Sequence, residues 1–571
     1  MMHRLLTLIA LLLLVSGCGG GQSPDDRPLA WDDIREAIPA QVDALFLSTP
    51  DKQVSDLLER VGGAGLMDLT QASGLSQTLG FDPNDPDSLV KAGIDPTATS
   101  GVVALTSGPI FIFKVSDAAA FTNTVNAVLA RQPDLKPSRY RLGGAEFTRV
   151  PVGTDFSFDI GVKDGFAFGR LAVAKMPGLS ATDGDLRALF RGAGDAPFWE
   201  TGEGRALLAD SAGAPPQSVT FIRTRAITRL IDQAVRYGNG DAGKLAPDTA
   251  ATAPYESAEQ RTMCRSIVER IPATMPWLSW VTVSVPNQET GRLAVQSKFR
   301  AQFSDRGAED WKSILKPTSA TSLPGTEEAL FYGAGRIDLR KFLNLFDAPA
   351  AAAGCPDTAK VLGLISTAKA AREKQVEFNL KIASGEAAIA LFGIRMAGML
   401  PLVDAAVMLG APTGKGIELA KQLQAELKKR GAEGTADVNS PYTRVNFRLL
   451  IYRFSLLQKD DHVALTVGSV PESTIGALLN GTADADAPVA DFHVNGGRIA
   501  ATANELLSYY SELGSLPAET YKQGQQAIEA ISWLDRSDST LGWSDTTLMG
   551  TLSFQLAPPA PVQVAPAEGA F

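Results

Sequence analysis

Histidine is almost missing from this chain. Three stand among 571 residues, and His3 belongs to the N-terminal stretch, so His462 and His493 are all that a folded body can use. A multi-histidine metal centre or a histidine-based triad has very little to draw on. Positive charge is short as well: 53 Lys and Arg stand against 63 Asp and Glu, for a net charge of −10. An acidic surface argues against nucleic acid as a partner and against a polybasic grip on anionic lipid. The local run Lys428, Lys429, Arg430 falls near the end of an expected helix, where cations suit the dipole. Long unbroken apolar runs are lacking too. Leu5 to Val15 is shorter than the roughly 20 residues that span a bilayer, and Ala387 to Leu409 is interrupted by Arg395, Pro401 and Asp404. Buried strands, not a membrane helix, are expected there. The 45% hydrophobic content is ample for two or more cores.

The N-terminus carries a definite signal. His3 and Arg4 precede the apolar run, and small residues follow it, which is the layout of a secretory signal peptide. Val15, Ser16, Gly17 and Cys18 resemble the lipobox of bacterial lipoproteins. That resemblance covers only the leader. It implies a signal peptide over 1–17, a diacylglyceryl thioether on Cys18 and an acylated amino group, so that membrane contact runs through lipid on Cys18. Several acyl chains anchor far more firmly than one. Gly19, standing where an aspartate could follow the cysteine, resembles the pattern of lipoproteins passed on to the outer membrane; the implied place is the cell envelope, on the leaflet facing the periplasm. Residues 18–30, with Gly19, Gly20, Gly21, Gln22, Ser23 and Pro24, read as a flexible tether. Residues 558–571, with Pro558, Pro559, Pro561 and Pro566, read as a disordered tail. With Cys18 lost to lipid, Cys264 and Cys355 are the candidate disulfide pair in an oxidising periplasm, and two separately buried thiols are the alternative.

A strand followed by an amphipathic helix recurs four times. Ala44 to Phe46 leads into Val54, Leu57, Leu58 and Val61 at helical spacing; Val219 to Ile222 leads into Ile227, Leu230 and Ile231; Ala329 to Phe331 into Leu339, Phe342, Leu343 and Phe346; and Phe492 to Val494 into Ala503, Leu506, Leu507 and Tyr510. The segments between them match in order. Strands at Val102–Leu105 and Ile110–Val115 and a helix through Phe121, Val125 and Val128 parallel strands at Ala387–Phe392 and Leu402–Met408 and a helix through Leu419, Leu423 and Leu427. A hairpin turning at Lys163, Asp164, Gly165 parallels one turning at Lys459, Asp460, Asp461. Meanders after Trp277 and Trp533 close each half. The expected fold is therefore α+β, in two tandem similar lobes over 31–321 and 322–557, each with mostly antiparallel sheet and packed amphipathic helices. The layout resembles large bacterial envelope proteins of no assigned activity whose strand-helix units open with motifs like Ala44, Leu45, Phe46.

Chemical motifs fail on inspection. His462 follows Asp460 and Asp461, but its match in the first half is about Phe166, and that of His493 is about Ile222; positions that accept apolar residues belong to packing. Gly410, Gly414 and Lys415 are one residue short of a phosphate loop, and Gly416 stands where Ser or Thr is needed. Ser313 and Lys316 have Ser-x-x-Lys spacing without the companion motifs of penicillin-recognising enzymes. Gly333, Ala334 and Gly335 read as a turn between strand and helix. Asp82, Asn84, Asp85 and Asp87 lack the turn glycine and closing glutamate of a calcium loop, and Pro83 and Pro86 obstruct it. No catalytic, cofactor-binding or metal residue is expected. The favoured function is a non-catalytic envelope interaction or scaffold protein, partnered by another envelope protein. The alternatives are a carrier of lipid or another apolar ligand and a carboxylate-based envelope hydrolase.

Overall fold

A computed structural model describes residues 29, 32–49, 86–105, 108–131, 135–152, 156–173, 180–194, 196–211, 216–229, 272–286, 293–319, 328–338, 341, 385–397, 400–437, 442–449, 451–480, 486–532 and 534–556. The leader, Cys18 and most of the tether, the helix expected over Val54 to Val61, Asp82 to Asp85, Leu230, Ile231, Cys264, Cys355, the expected helical residues Leu339, Phe342, Leu343 and Phe346, Trp533 and the tail lie outside the described residues. The chain divides into two compact units. Unit 1 takes Met1–Val283, Lys298–Gly307 and Ala348–Val361; unit 2 takes Ser284–Ser297, Ala308–Asp347 and Leu362–Phe571. The fold is α+β, with antiparallel sheet.

The first ten strands, which lie in unit 1 except for Ser284–Pro286 and Leu293–Ser297, are β1 (Ala44–Ser48), β2 (Ser100–Ala104), β3 (Pro109–Lys114), β4 (Ser138–Leu142), β5 (Ala145–Val152), β6 (Phe156–Lys163), β7 (Phe166–Val173), β8 (Ser218–Arg223), β9 (Trp277–Pro286) and β10 (Leu293–Gln302). Hydrogen-bonded neighbours run β4-β5-β6-β7-β3-β2-β1-β8-β9-β10. The β6–β7 hairpin turns where Asp164 and Gly165 both take positive φ, 47° and 81°, the backbone that Asp-Gly tolerates best. Helix α1 (Ala118–Ala130) starts at Asp117, whose carboxylate accepts from the Ala119 and Ala120 amides. It lays Phe121, Val125 and Val128 on one sheet face, against Phe111, Phe113, Phe158 and Ile160. The other face is aromatic. Phe147 and Phe168 meet Phe190 of α2 (Asp183–Phe190), whose first turn is closed by a Thr182–Asp185 capping box, and Phe221 meets Phe198.

Unit 2 contains β11 (Phe331–Arg336), β12 (Glu386–Ala397), β13 (Leu400–Gly410), β14 (Glu433–Asp437), β15 (Thr443–Leu449), β16 (Tyr452–Lys459), β17 (His462–Val467), β18 (Ala490–Val494), β19 (Leu534–Ser544) and β20 (Thr547–Leu556). Their neighbours run β14-β15-β16-β17-β13-β12-β11-β18-β19-β20. Helix α3 (Gly416–Lys429) sets Leu419, Leu423 and Leu427 against Phe447, Leu456 and Leu465 on one face. On the other face α4 (Glu472–Asn480) brings Ile475, Leu478 and Leu479 onto Tyr332, Ala388, Ala390 and Met408. The apolar stretch from Ala387 to Leu409 is the β12–β13 hairpin. Among the described residues no helix is long and apolar enough to cross a membrane.

One local expectation is corrected. Gly333, Ala334 and Gly335 form no turn; they are the middle of β11. The glycine at 333 makes room, because a Cβ there would stand 2.8 Å from the Phe492 ring carbon Cδ1.

Candidate functional site

Among the described residues, polar side chains gather at several places, and three of them hold the histidines or the most buried carboxylate. The first lies in unit 2, at the end of the face covered by α4. Arg336 and Glu386 are cross-strand partners on β11 and β12, and Gly410 and His462 are partners on β13 and β17. Gly410 has no side chain, so the Glu386 and His462 side chains approach across the strand between them. His462 Nε2 stands 3.7 Å from Glu386 Oε2, and Arg336 Nη1 stands 3.9 Å from the same oxygen. The other carboxylate oxygen, Oε1, accepts from Thr318 Oγ1 at 3.0 Å, the Ser319 amide at 2.5 Å and Ser319 Oγ at 2.7 Å. Burial alone would raise the pKa of this carboxyl. The contacts from His462 and Ser319 and the Arg336 charge outweigh burial and bring it down to about 2.

Serine, histidine and glutamate together invite comparison with a nucleophilic relay, and the geometry does not support one. Ser319 Oγ lies 3.4 Å from His462 Nε2, so a single ring nitrogen faces both the hydroxyl and the acid. A relay needs the acid on the opposite nitrogen, where it holds the tautomer that accepts the serine proton. Here Ser319 donates to Glu386 directly, and a carboxylate with a pKa near 2 is a poor base at neutral pH. What the cluster does is tie the 318–319 segment to the sheet.

The second place is the fully buried carboxylate of Asp159 on β6. Arg149 Nε and Nη2 each reach it at 2.7 Å, Tyr140 donates its hydroxyl at 2.7 Å, and Arg170 Nε donates at 3.0 Å. Arg170 also pairs with Asp183 at 2.6 Å and donates to the Ala181 carbonyl at 3.2 Å. Burial works to raise the Asp159 pKa, but the bonds from Arg149 and Tyr140 and the Arg170 charge leave it below the ordinary carboxylate value. Burial, then the adjacent Asp159 charge, pushes the Tyr140 phenol up. Every group here is matched, as buried ions must be.

The third is His493 on β18, whose Nδ1 lies 2.7 Å from Asp538 Oδ1 on β19. Its Nε2 is buried without a hydrogen-bond partner. Arg536 holds the same carboxylate at 2.7 Å. A carboxylate-oriented imidazole of this kind could serve a metal, but among the described residues no group of three or more His, Cys, Asp or Glu side chains is arranged to hold an ion.

The remaining sequence motifs are accounted for locally. Gly414, at φ 75°, donates its amide to Asp461, and Lys415 pairs with Glu418. Ser313 donates to the Asp310 carbonyl at 2.7 Å, while Lys316 lies 3.9 Å from Asp338. Unit 1 also has a groove lined by Arg35, Glu36, Arg191, Trp199 and Glu200, where the Trp199 indole is fixed by donating to the Arg35 carbonyl at 2.9 Å.

Set against known proteins, the chain matches no family model, no curated protein and no solved structure. The Asp159 network escaped the sequence reading. Its signal was present in Arg149, Asp159 and Arg170, ionisable residues inside strands whose neighbours are aromatic or aliphatic. The Ser319 contact had none, because a serine in a connecting segment says nothing of the strand end it reaches.

Proposed function

We propose that this chain is a lipid-anchored envelope protein acting as a non-catalytic interaction or scaffold module, built from two copies of one structural unit. The observation that supports the two-copy part of this reading is the strand order, which is the same in both units when ten is added to each strand number. Such an order, with β7 beside β3 and β1 beside β8, is a specific arrangement of connections.

The registers then set residue against residue. Both β6–β7 and β16–β17 turn at an aspartate of positive φ, Asp164 and Asp460, which aligns Phe166 with His462. Counting outward through β3 and β13, and so on across each sheet, aligns Thr99 with Glu386, Thr49 with Arg336 and Phe221 with His493. Likewise Arg149, Asp159 and Arg170 align with Asn446, Ser455 and Thr466. Where unit 2 holds Glu386 and Arg336, unit 1 joins Thr49 to Thr99 through their hydroxyls at 2.9 Å. Where unit 1 buries Asp159, unit 2 joins Ser455 to Asn446 at 2.7 Å. Each ionised cluster is thus replaced by a neutral hydrogen bond in the other unit. Groups exchangeable in this way close a sheet and do not perform a shared reaction.

The anchor is tested by labelling cells with palmitate and measuring the mature N-terminus. Label on the wild type, its loss in C18S, and processing to residue 18 are expected; an unlabelled chain refutes the anchor. The scaffold reading is tested by isolating the protein from gently solubilised membranes. A stoichiometric protein partner is the expected result. A lipid in organic extracts with no protein partner would favour a carrier instead.

A further inference from the structure

We infer that one end of unit 2 dips into the surface of an anionic lipid bilayer, through two apolar hairpin tips set inside a collar of basic residues. This contact belongs to the protein itself and goes beyond the lipid on Cys18. The end is defined by register. Arg448 on β15 is the cross-strand partner of Glu433 on β14 and of Arg453 on β16. The Arg453 carbonyl accepts from the Gly468 amide, the next residue's amide donates to Asp404 at 2.7 Å, and Asp404 pairs with Gly393 across β13 and β12. Past this row two hairpins run on, as the β15–β16 turn at 449–452 and as an arm of β12–β13 over 394–403. Tyr452 donates its hydroxyl to the Pro401 carbonyl at 2.8 Å, so the two tips are held side by side. Ile451 is 42% exposed and Leu400 48%. Both tips are closed, one by residues 398–399 and the other by 450–451, and no further chain leaves from them.

The shape of the arm and the charge around it decide the occupant. Successive residues of a strand point to opposite faces, so Ile394, Met396, Pro401 and Val403 share one face of the arm, and Leu400 and Leu402 share the other with Arg395. None of these side chains is buried. An antiparallel hairpin in water normally keeps one face polar. A partner helix or sheet would cover one apolar face, whereas lipid surrounds both. Four residue pairs, from Ile394–Val403 to Ala397–Leu400, carry the arm past the collar. At about 3.4 Å per residue that is roughly 13 Å, enough for the roughly 5–10 Å at which interfacial apolar groups lie. Tyrosine suits the same level. The collar supplies the charge. Helix α3 ends in Lys428 and Lys429 followed by Arg430, all exposed, and Glu433 three residues on stands against Arg448. Across 395–404, 426–433 and 448–453 the basic residues number six and the acidic three. Two of the acids are held, Asp404 by Arg395 at 3.1 Å and Glu426 by Lys429 at 2.7 Å. A chain of net charge −10 is repelled by anionic lipid over its surface at large, but this end is attracted. Unit 1 supplies the contrast. In the alignment of Arg149 with Asn446 and Asp159 with Ser455, Pro151 and Ser157 stand where unit 2 has Arg448 and Arg453. Gly153, Thr154 and Asp155 connect β5 to β6 there, and four residues, 105–108, take the place of the arm.

The test uses the full chain with its own anchor, reconstituted in vesicles of three parts phosphatidylcholine to one of phosphatidylglycerol. A dansyl amino acid is placed at 400, at 451 or, as control, at the exposed position 415 at the opposite end of α3. Emission from 400 and 451 should shift to the blue and be quenched by lipids brominated in their acyl chains, with 415 unchanged. The combined K428Q, K429Q and R430Q should cut that quenching at least about fivefold while circular dichroism stays unchanged, and pure phosphatidylcholine vesicles should do the same to the wild type. If the combined variant unfolds, R453Q serves in its place. No quenching at 400 and 451, equal quenching in pure phosphatidylcholine, or quenching at 415 as well overturns the proposal. Flotation with the vesicles and the mass of the N-terminal peptide are scored separately. Unquenched tips on a chain that floats overturn this contact and leave the Cys18 anchor standing. Quenched tips on a chain without lipid leave this contact standing and remove the anchor.

Discussion

Replacing Glu386 with glutamine should cost unit 2 a share of stability that depends on pH in a defined way. The buried carboxylate accepts three hydrogen bonds on Oε1 and faces Arg336 and His462 with Oε2. Those contacts overcome burial and hold its pKa at about 2, against 4.5 for a free glutamate. At about 1.4 kcal/mol for each tenfold change in proton affinity, the ionised form contributes on the order of 3 kcal/mol. A depressed folded-state pKa gives stability that is complete above the unfolded value, so the contribution is whole above about pH 4.5 and disappears as pH falls toward about 2. Glutamine keeps the shape and one acceptor oxygen for the Ser319 amide but carries no charge. E386Q should therefore be less stable than wild type by about 3 kcal/mol at neutral pH, and the gap should close as pH approaches about 2. Chemical denaturation of both proteins across this range measures the gap, and hydrogen exchange at the Ser319 amide localises it to unit 2. A gap that is equally large at both ends of the range, or below about 0.5 kcal/mol at neutral pH, refutes the reasoning.

R170A removes a buried partner of Asp159 and should destabilise by about 3 kcal/mol in denaturant melts. The combined R149N, D159S and R170T installs the neutral set found at Asn446, Ser455 and Thr466 and should recover stability to within about 1 kcal/mol of wild type; a combined variant no better than R170A counts against the equivalence of the units. G93A forces a side chain into a φ of 81° with its Cβ 2.3 Å from the Asp117 carbonyl oxygen, and a loss above about 2 kcal/mol is expected from the same melts. Thiol titration of the unfolded, unreduced protein should find Cys264 and Cys355 unreactive, and two free thiols would dispose of the disulfide.

Some elements could be read directly because their physics is local. Helix α1 follows from Phe121, Val125 and Val128 at helical spacing after a capping aspartate, and the β6–β7 turn from Asp164 and Gly165. The β12–β13 hairpin was distinguishable from a membrane span because Arg395, Pro401 and Asp404 break it. Gly333 to Gly335 misled, since glycine marks a turn in local terms and here it yields to a ring carried by another strand.

By itself, then, the sequence determined the shortage of histidine and, from residues a few positions apart, periodicity, turn chemistry and part of the order of strands and helices, with β4, β5, β14, β15, α2 and α4 left unread. Only the tertiary structure decided which strands are neighbours and in what register. That register places Glu386 against His462 across a glycine and Asp159 against two arginines. It also joins the tips of two hairpins, with Tyr452 against Pro401. The reason is that antiparallel pairing joins residues tens to hundreds of positions apart, and no local propensity records which partner a strand will take.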